Sequence, residues 1–145
     1  MITLKNYKIS AEGVKYNLIF YTDLTIIGGE SGVGKTLLFK AFQKKAALGD
    51  ERFVCIDINY VTNLKNMNTT LDSVLSSANN KIIIIDNADV VLNTTQRLKI
   101  SMDTKNQYII FAHGTDGFKT NRNGLAKLLI ENNEGFLKYP LRRGN

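Results

Sequence analysis

Residues 24–42 read LTIIGGESGVGKTLLFKAF, from Leu24 to Phe42. Within them, Gly29 to Thr36 match the spacing G-x-x-x-x-G-K-[ST] at every fixed position, a specific pattern for a loop that holds phosphate. In front of it, Leu24-Thr25-Ile26-Ile27 is a short apolar run rich in β-branched residues, suited to a buried strand. Behind it, Leu37, Leu38, Ala41 and Phe42 recur at helical spacing. The glycines are therefore predicted to lie between a strand and a helix.

That placement suits anion binding. Glycine at 29, 32 and 34 allows backbone conformations closed to residues with a Cβ, so that successive amides turn inward as a nest. The following helix adds unpaired first-turn amides and the positive end of its dipole. Gly29, Glu30, Ser31, Gly32, Val33, Gly34, Lys35, Thr36 and Leu37 are accordingly expected to cradle the phosphates of a nucleotide. The Lys35 ammonium is expected on the β- and γ-phosphates, and the Thr36 hydroxyl on a hydrated Mg²⁺.

A second signal is Ile82-Ile83-Ile84-Ile85-Asp86. Four consecutive isoleucines cannot alternate between core and water, so this strand is predicted to be covered on both faces, as in a parallel α/β sheet. Asp86 then stands at its carboxyl end, where open α/β sheets bind ligands; there it resembles the Walker B aspartate, a resemblance that implies it orients Mg²⁺ together with Thr36.

Outward from these two motifs, the 145-residue chain carries 43% apolar and 22% charged residues. That is the composition of a globular chain and not of a disordered one, and we expect a single domain over residues 1–145. No apolar run approaches membrane-spanning length, and the first residues lack the layout of a signal peptide, so the expected location is cytoplasmic, without membrane insertion. Cys55 has no partner for an intramolecular disulfide, and the lone His113 excludes a His/Cys zinc cluster built from this chain alone. The net charge is +6, but basic residues are scattered, and no basic stripe interleaved with aromatics is visible in the sequence.

In chain order, residues 1–22 are expected to form an antiparallel hairpin turning at Ser10-Ala11-Glu12-Gly13. Tyr7 and Tyr16 are read there as packing residues, with adenine stacking as the alternative. Residues 23–140 are expected to form a parallel α/β core. Its parts are a first helix ending near Gly49, a strand at Phe53–Ile58, a polar connection at Tyr60–Asn68, and a helix opening at Thr69-Thr70-Leu71-Asp72. A helix over Gln96–Met102 with Leu98 and Met102 inward follows, then a strand at Gln107–Ala112, a helical stripe at Leu125, Leu128 and Leu129, and a last strand at Gly135–Tyr139. The expected fold class is α/β, three layers, with a mostly parallel five-stranded core sheet and the N-terminal antiparallel hairpin beside it.

Together the two motifs resemble those of P-loop nucleoside triphosphatases, over most of the chain from Leu24 to Tyr139. The order of elements is similar to the division that includes AAA-type, ABC-type and recombination ATPases. The resemblance implies ATP and Mg²⁺ as ligands, and a further strand, here Tyr108–Ala112, inserted between the phosphate-loop strand and the Asp86 strand. It also implies that His113 occupies the position of a γ-phosphate sensor, with a turn residue bonded to backbone as the other reading. Lys35, Asp86, Asn87, Asp89 and His113 are the candidate catalytic residues. Such enzymes often carry glutamate after the strand-ending aspartate to polarise the attacking water, whereas this chain has Asn87, which can hold a water but cannot take its proton. Asp89 is the nearest carboxylate. No ABC-type signature segment and no AAA-type helical lid are recognisable.

The expectation is thus an ATP-binding domain with slow or partner-stimulated hydrolysis, acting as a nucleotide-dependent switch or assembly component with a protein partner or as a homo-oligomer. In that setting Arg97, Arg122 or Arg142 is a candidate arginine finger. Two other readings stay open: a small-molecule or nucleoside kinase with Asp57 at its acceptor site, and a nucleotide-dependent nucleic-acid binder supported by net charge alone.

Overall fold

The computed structural model describes residues 3–29 and 34–140. Glu30, Ser31, Gly32 and Val33 of the expected phosphate loop lie outside the described residues, as does Arg142.

The chain opens with β1 (Asn6–Ala11) and β2 (Val14–Ile19), paired antiparallel as expected. Glu12 and Gly13 turn between them at φ 48° and 83°, the two left-handed residues that match a tight hairpin to the strand twist. β3 (Leu24–Gly28) leads to α1 (Lys35–Ala47), which ends before Gly49 at φ 109°. Then come β4 (Phe53–Ile56), α2 (Ile58–Asn66), α3 (Leu71–Ser77), β5 (Ile82–Ile85), the single turn α4 (Ala88–Val91) and α5 (Thr94–Met102). β6 (Gln107–Phe111), β7 (Leu125–Glu131) and β8 (Glu134–Lys138) complete the chain.

All eight strands join one sheet in the order β1-β2-β8-β7-β3-β6-β5-β4. It is wider than the five-stranded core expected, because the N-terminal hairpin continues the same sheet through the parallel pairing of β2 with β8. β6 lies between β3 and β5 and pairs parallel with both. The inserted strand implied by the resemblance is therefore present.

The isoleucine run behaves as its composition requires. Ile82 and Ile84 join a core that α1 closes with Leu38, Phe39 and Phe42, while Ile83 and Ile85 join a second core closed by Leu64 of α2, Leu71 of α3 and Ile100 of α5. A buried Gln107 ties the start of the chain to β6: its Nε2 donates to Leu4 O at 2.8 Å, and its Oε1 accepts from Leu4 N at 2.7 Å. Tyr7 is a packing residue, its ring 5.8 Å from that of Phe42 and 5.7 Å from that of Phe53.

Three local expectations are corrected. Leu125, Leu128 and Leu129 belong to a strand, not a helix. β7 pairs parallel with β3 and antiparallel with β8 across Asn132 and Asn133, at φ 51° and 61°, so an asparagine pair able to adopt left-handed backbone makes a tight turn. The polar stretch Tyr60–Asn68 is mostly helical. Asp57 caps α2 by accepting from Tyr60 N at 2.8 Å, and only Leu64 of that helix is fully buried, which left little apolar period to read. In α5 the inward residues are Gln96 and Ile100, while Leu98 and Met102 are exposed, because the Asn93–Gln96 capping box sets the helix phase.

Candidate functional site

The site begins where β3 ends. Gly29 and Gly34, which bracket the undescribed part of the loop, have φ 128° and 93°, left-handed values that glycine adopts without strain. A Cβ on Gly34 would lie 2.5 Å from Ile130 Cδ1 and 3.5 Å from Tyr16 Oη, so the β7–β8 hairpin leans against the loop and the end of the Ile130 side chain would have to shift for another residue, which the left-handed backbone would also strain. Lys35 opens α1, and its Nζ donates to Gly29 O at 2.6 Å, bracing one end of the loop against the other.

β3, β6 and β5 run parallel, so their carboxyl ends present neighbouring loops at one edge of the sheet. There a cleft of about 580 Å³ gathers Gly34, Lys35, Thr36 and Leu37 with Asp86, Asn87, Asp89 and His113. Every expected site residue from Gly34 onward lines this one cleft. Phe111 and Ala112 line it too; being ordinary apolar strand residues, they carried no signal in the sequence.

Asp86 is half-buried, and its amide donates to Ile56 O at 2.9 Å. Burial pushes its carboxyl above the usual carboxylate range, and Asp57 pushes the same way. The Asn87 backbone bond and the charges of Lys35 and Lys40 pull it back. Asn87 follows at φ 52° and ψ 52°, a left-handed conformation that asparagine tolerates better than most residues, and its side chain makes no capping bond to α4. Asp89 is not a free carboxylate, since its Oδ2 accepts from the His113 amide at 2.7 Å. The loops after β5 and β6 are thereby joined.

A second tie binds the same loops from below. Arg97 of α5 donates through Nη2 to Ala88 O at 3.3 Å and Asp89 O at 3.2 Å, and through Nη1 to Asp116 O at 3.0 Å. Its guanidinium also stands 5.8 Å from the centre of the Phe118 ring. These bonds engage Arg97, one of the candidate arginine fingers, within its own chain. Asp57 is likewise engaged: besides capping α2 it accepts from Gln43 Nε2 at 3.5 Å.

A model of the ATPase family associated with various cellular activities (AAA) matches residues 25–144. The chain belongs to the AAA family. No curated protein and no solved structure matches it. AAA membership brings a nucleotide-binding, ATPase-like function, and the family generally uses ATP and Mg²⁺. The residues present fit such a ligand. Among the described residues no group of three or more His, Cys, Asp or Glu could hold a metal by itself; the cleft offers the Thr36 hydroxyl and the carboxylates of Asp86 and Asp89, the second already bonded to the His113 amide. That sparse oxygen set suits Mg²⁺, which keeps several waters and takes its remaining ligands from phosphates. Also among the described residues, no helix is long and apolar enough to cross a membrane.

Proposed function

We propose that this AAA chain is a Mg-ATP-binding domain with slow or partner-stimulated hydrolysis, whose nucleotide state is read by a protein partner or by another copy of itself. The observation that carries the reading is the meeting of Lys35 and Thr36 with Asp86 and Asn87 in one cleft. Backbone amides from Gly29 to Leu37, those of Glu30, Ser31, Gly32 and Val33 included, bind the phosphates. The Lys35 ammonium exchanges Gly29 O for phosphate oxygens. Thr36 and Asp86 hold Mg²⁺, which when bound neutralises charge between the phosphates. Asn87 hydrogen-bonds the attacking water without accepting its proton, which makes hydrolysis slow. His113 faces the γ-phosphate from the loop after β6, and Asp89 positions it through the bond to its amide. Because Asp89 and Arg97 join the loops after β5 and β6, a change at the γ-phosphate moves both together, the usual origin of a nucleotide switch.

Titration calorimetry tests the assignment. Lys35→Ala is expected to abolish Mg-ATP binding, and Asp86→Ala to remove the Mg²⁺ dependence of what remains. Unchanged affinity in both variants would overturn it. Phosphate release from ATP alone supports an ATPase, whereas turnover that requires a phosphate acceptor would make the chain a kinase.

A further inference from the structure

We infer that the face of the β1–β2–β8–β7 half of the sheet that the described helices leave uncovered binds single-stranded nucleic acid, with lysines on its phosphates and Phe136 as a stacking platform. Strand alternation builds this face. Ile9, Tyr16, Leu18, Ala126, Leu128 and Leu137 turn toward α1, so Lys8, Asn17, Lys127, Leu129, Phe136 and Lys138 project to the other side. The helices that cover that side of β3 to β6 make no substantial contact with these four strands.

Register brings the face together. Lys8 is the Cα partner of Asn17, Asn17 of Phe136, and Phe136 of Leu129, while Lys127 stands directly opposite Lys138. Lys8 thus stands in the same cross-strand row as Phe136, two strands away, and the Lys127–Lys138 pair fills the neighbouring row; the Phe136 ring is 37% exposed. None of the three has an ion-pair partner among the described residues. Like charges directly opposite on neighbouring strands repel, and a polyanion laid across them relieves that repulsion. The acidic groups of the face, Glu131 and Glu134, pair with each other at the hairpin tip, where Lys15 is opposite Glu134. Along β8, Glu134 lies two residues before Phe136 and Lys138 two residues after it, so the face is cationic at its Lys127–Lys138 end and mixed in charge at the hairpin tip.

A sheet face with an exposed ring and lysines on the same side suits a single strand in particular, because its bases are free to stack while its phosphates track the charge. The lysines come from β1, β7 and β8, so no basic run announces them in the sequence. This inference stands apart from ATP binding, and its readout involves no nucleotide triphosphate.

Fluorescence anisotropy of a labelled oligo-dT strand tests it. Wild type is expected to bind at low salt, with log affinity falling against log salt at a slope of about −2 for three phosphate contacts. The double variant Lys127→Glu/Lys138→Glu and the single variant Phe136→Ala are each expected to lose about tenfold in affinity or more. Lys65→Glu/Lys99→Glu, on the helical side, serves as a charge-matched control expected to retain wild-type affinity, with melting curves confirming that every variant is folded. No binding at low salt, or an equal loss in the control, would overturn the inference. So would polyglutamate competing as well as oligo-dT with Phe136→Ala having no effect, because the face would then be a docking surface for an acidic protein.

Discussion

Asn87 sits at φ 52° and ψ 52° in the wall of the cleft that Lys35, Thr36 and Asp86 line. An extended side chain there meets the left-handed penalty of about 1–2 kcal/mol. Asn87→Glu, the change that would supply a proton acceptor, is therefore expected to lower unfolding stability by about 1 kcal/mol even if it raises turnover. Asn87→Gly is expected to leave stability nearly unchanged, and urea titration of the two variants checks the pair. The sequence marked Asn87 only as a missing acid, because no local spacing reveals the sign of φ. Asp86 carries the other prediction at this scale. Burial raises its folded-state pKa above that of the unfolded chain, so between those two values the folded state binds more protons, and stability rises as pH falls through that window. The burial penalty is fully present above the window, at neutral pH. Asp86→Asn is thus expected to raise the melting temperature of the ligand-free protein at neutral pH, and the gain is expected to shrink as pH falls through that window and to be gone below the ordinary carboxylate value. A pH series of melting curves for both proteins reads this out.

Among the elements, the four-residue α4 is too short to hold itself, and Arg97 supports it from α5 while gripping Asp116 in the loop after β6. Replacing the guanidinium by an apolar side chain strands carbonyls that it now satisfies. Arg97→Met is expected to cost about 2 kcal/mol in urea unfolding and to speed hydrogen exchange selectively over Asp116–Phe118. A uniform change in exchange across the molecule would show that Arg97 supports the whole fold and not these two loops. Elements were unevenly legible in the sequence. β3, α1 and β5 are each announced by their own residues, and so is the start of α3, where Thr70 Oγ1 accepts from Ser73 N at 3.1 Å. β7 was not, because Leu125, Leu128 and Leu129 fit a helical stripe as readily as a strand. The turn at Asn132-Asn133 and the open edge of β3 decided for the strand. α2 was missed for the opposite reason: Asn, Tyr, Val and Thr are modest helix formers, and a single buried leucine makes no period.

For the molecule as a whole, the cleft ties α1 to the loops after β5 and β6, so a ligand seated there is linked to global stability. Mg-ATP at about one hundred times its dissociation constant is expected to stabilise the fold by about 2.7 kcal/mol, a melting shift of about 5–10 °C. Lys35→Ala is expected to show no shift at the same concentration, and differential scanning fluorimetry measures both. The phosphate-loop spacing, the strand and helix on either side of it, and the doubly buried isoleucine strand ending in Asp86 were determined by sequence alone, because each rests on residues within a few positions of one another. Only the tertiary structure decided that the N-terminal hairpin extends the main sheet, that Asp89 bonds the His113 amide, that Arg97 is tied down, and that Lys127 stands opposite Lys138 on the face that carries Lys8 and Phe136. Those features depend on strand register and on hydrogen bonds between distant residues, and local periodicity places no constraint on which strand a segment will pair with.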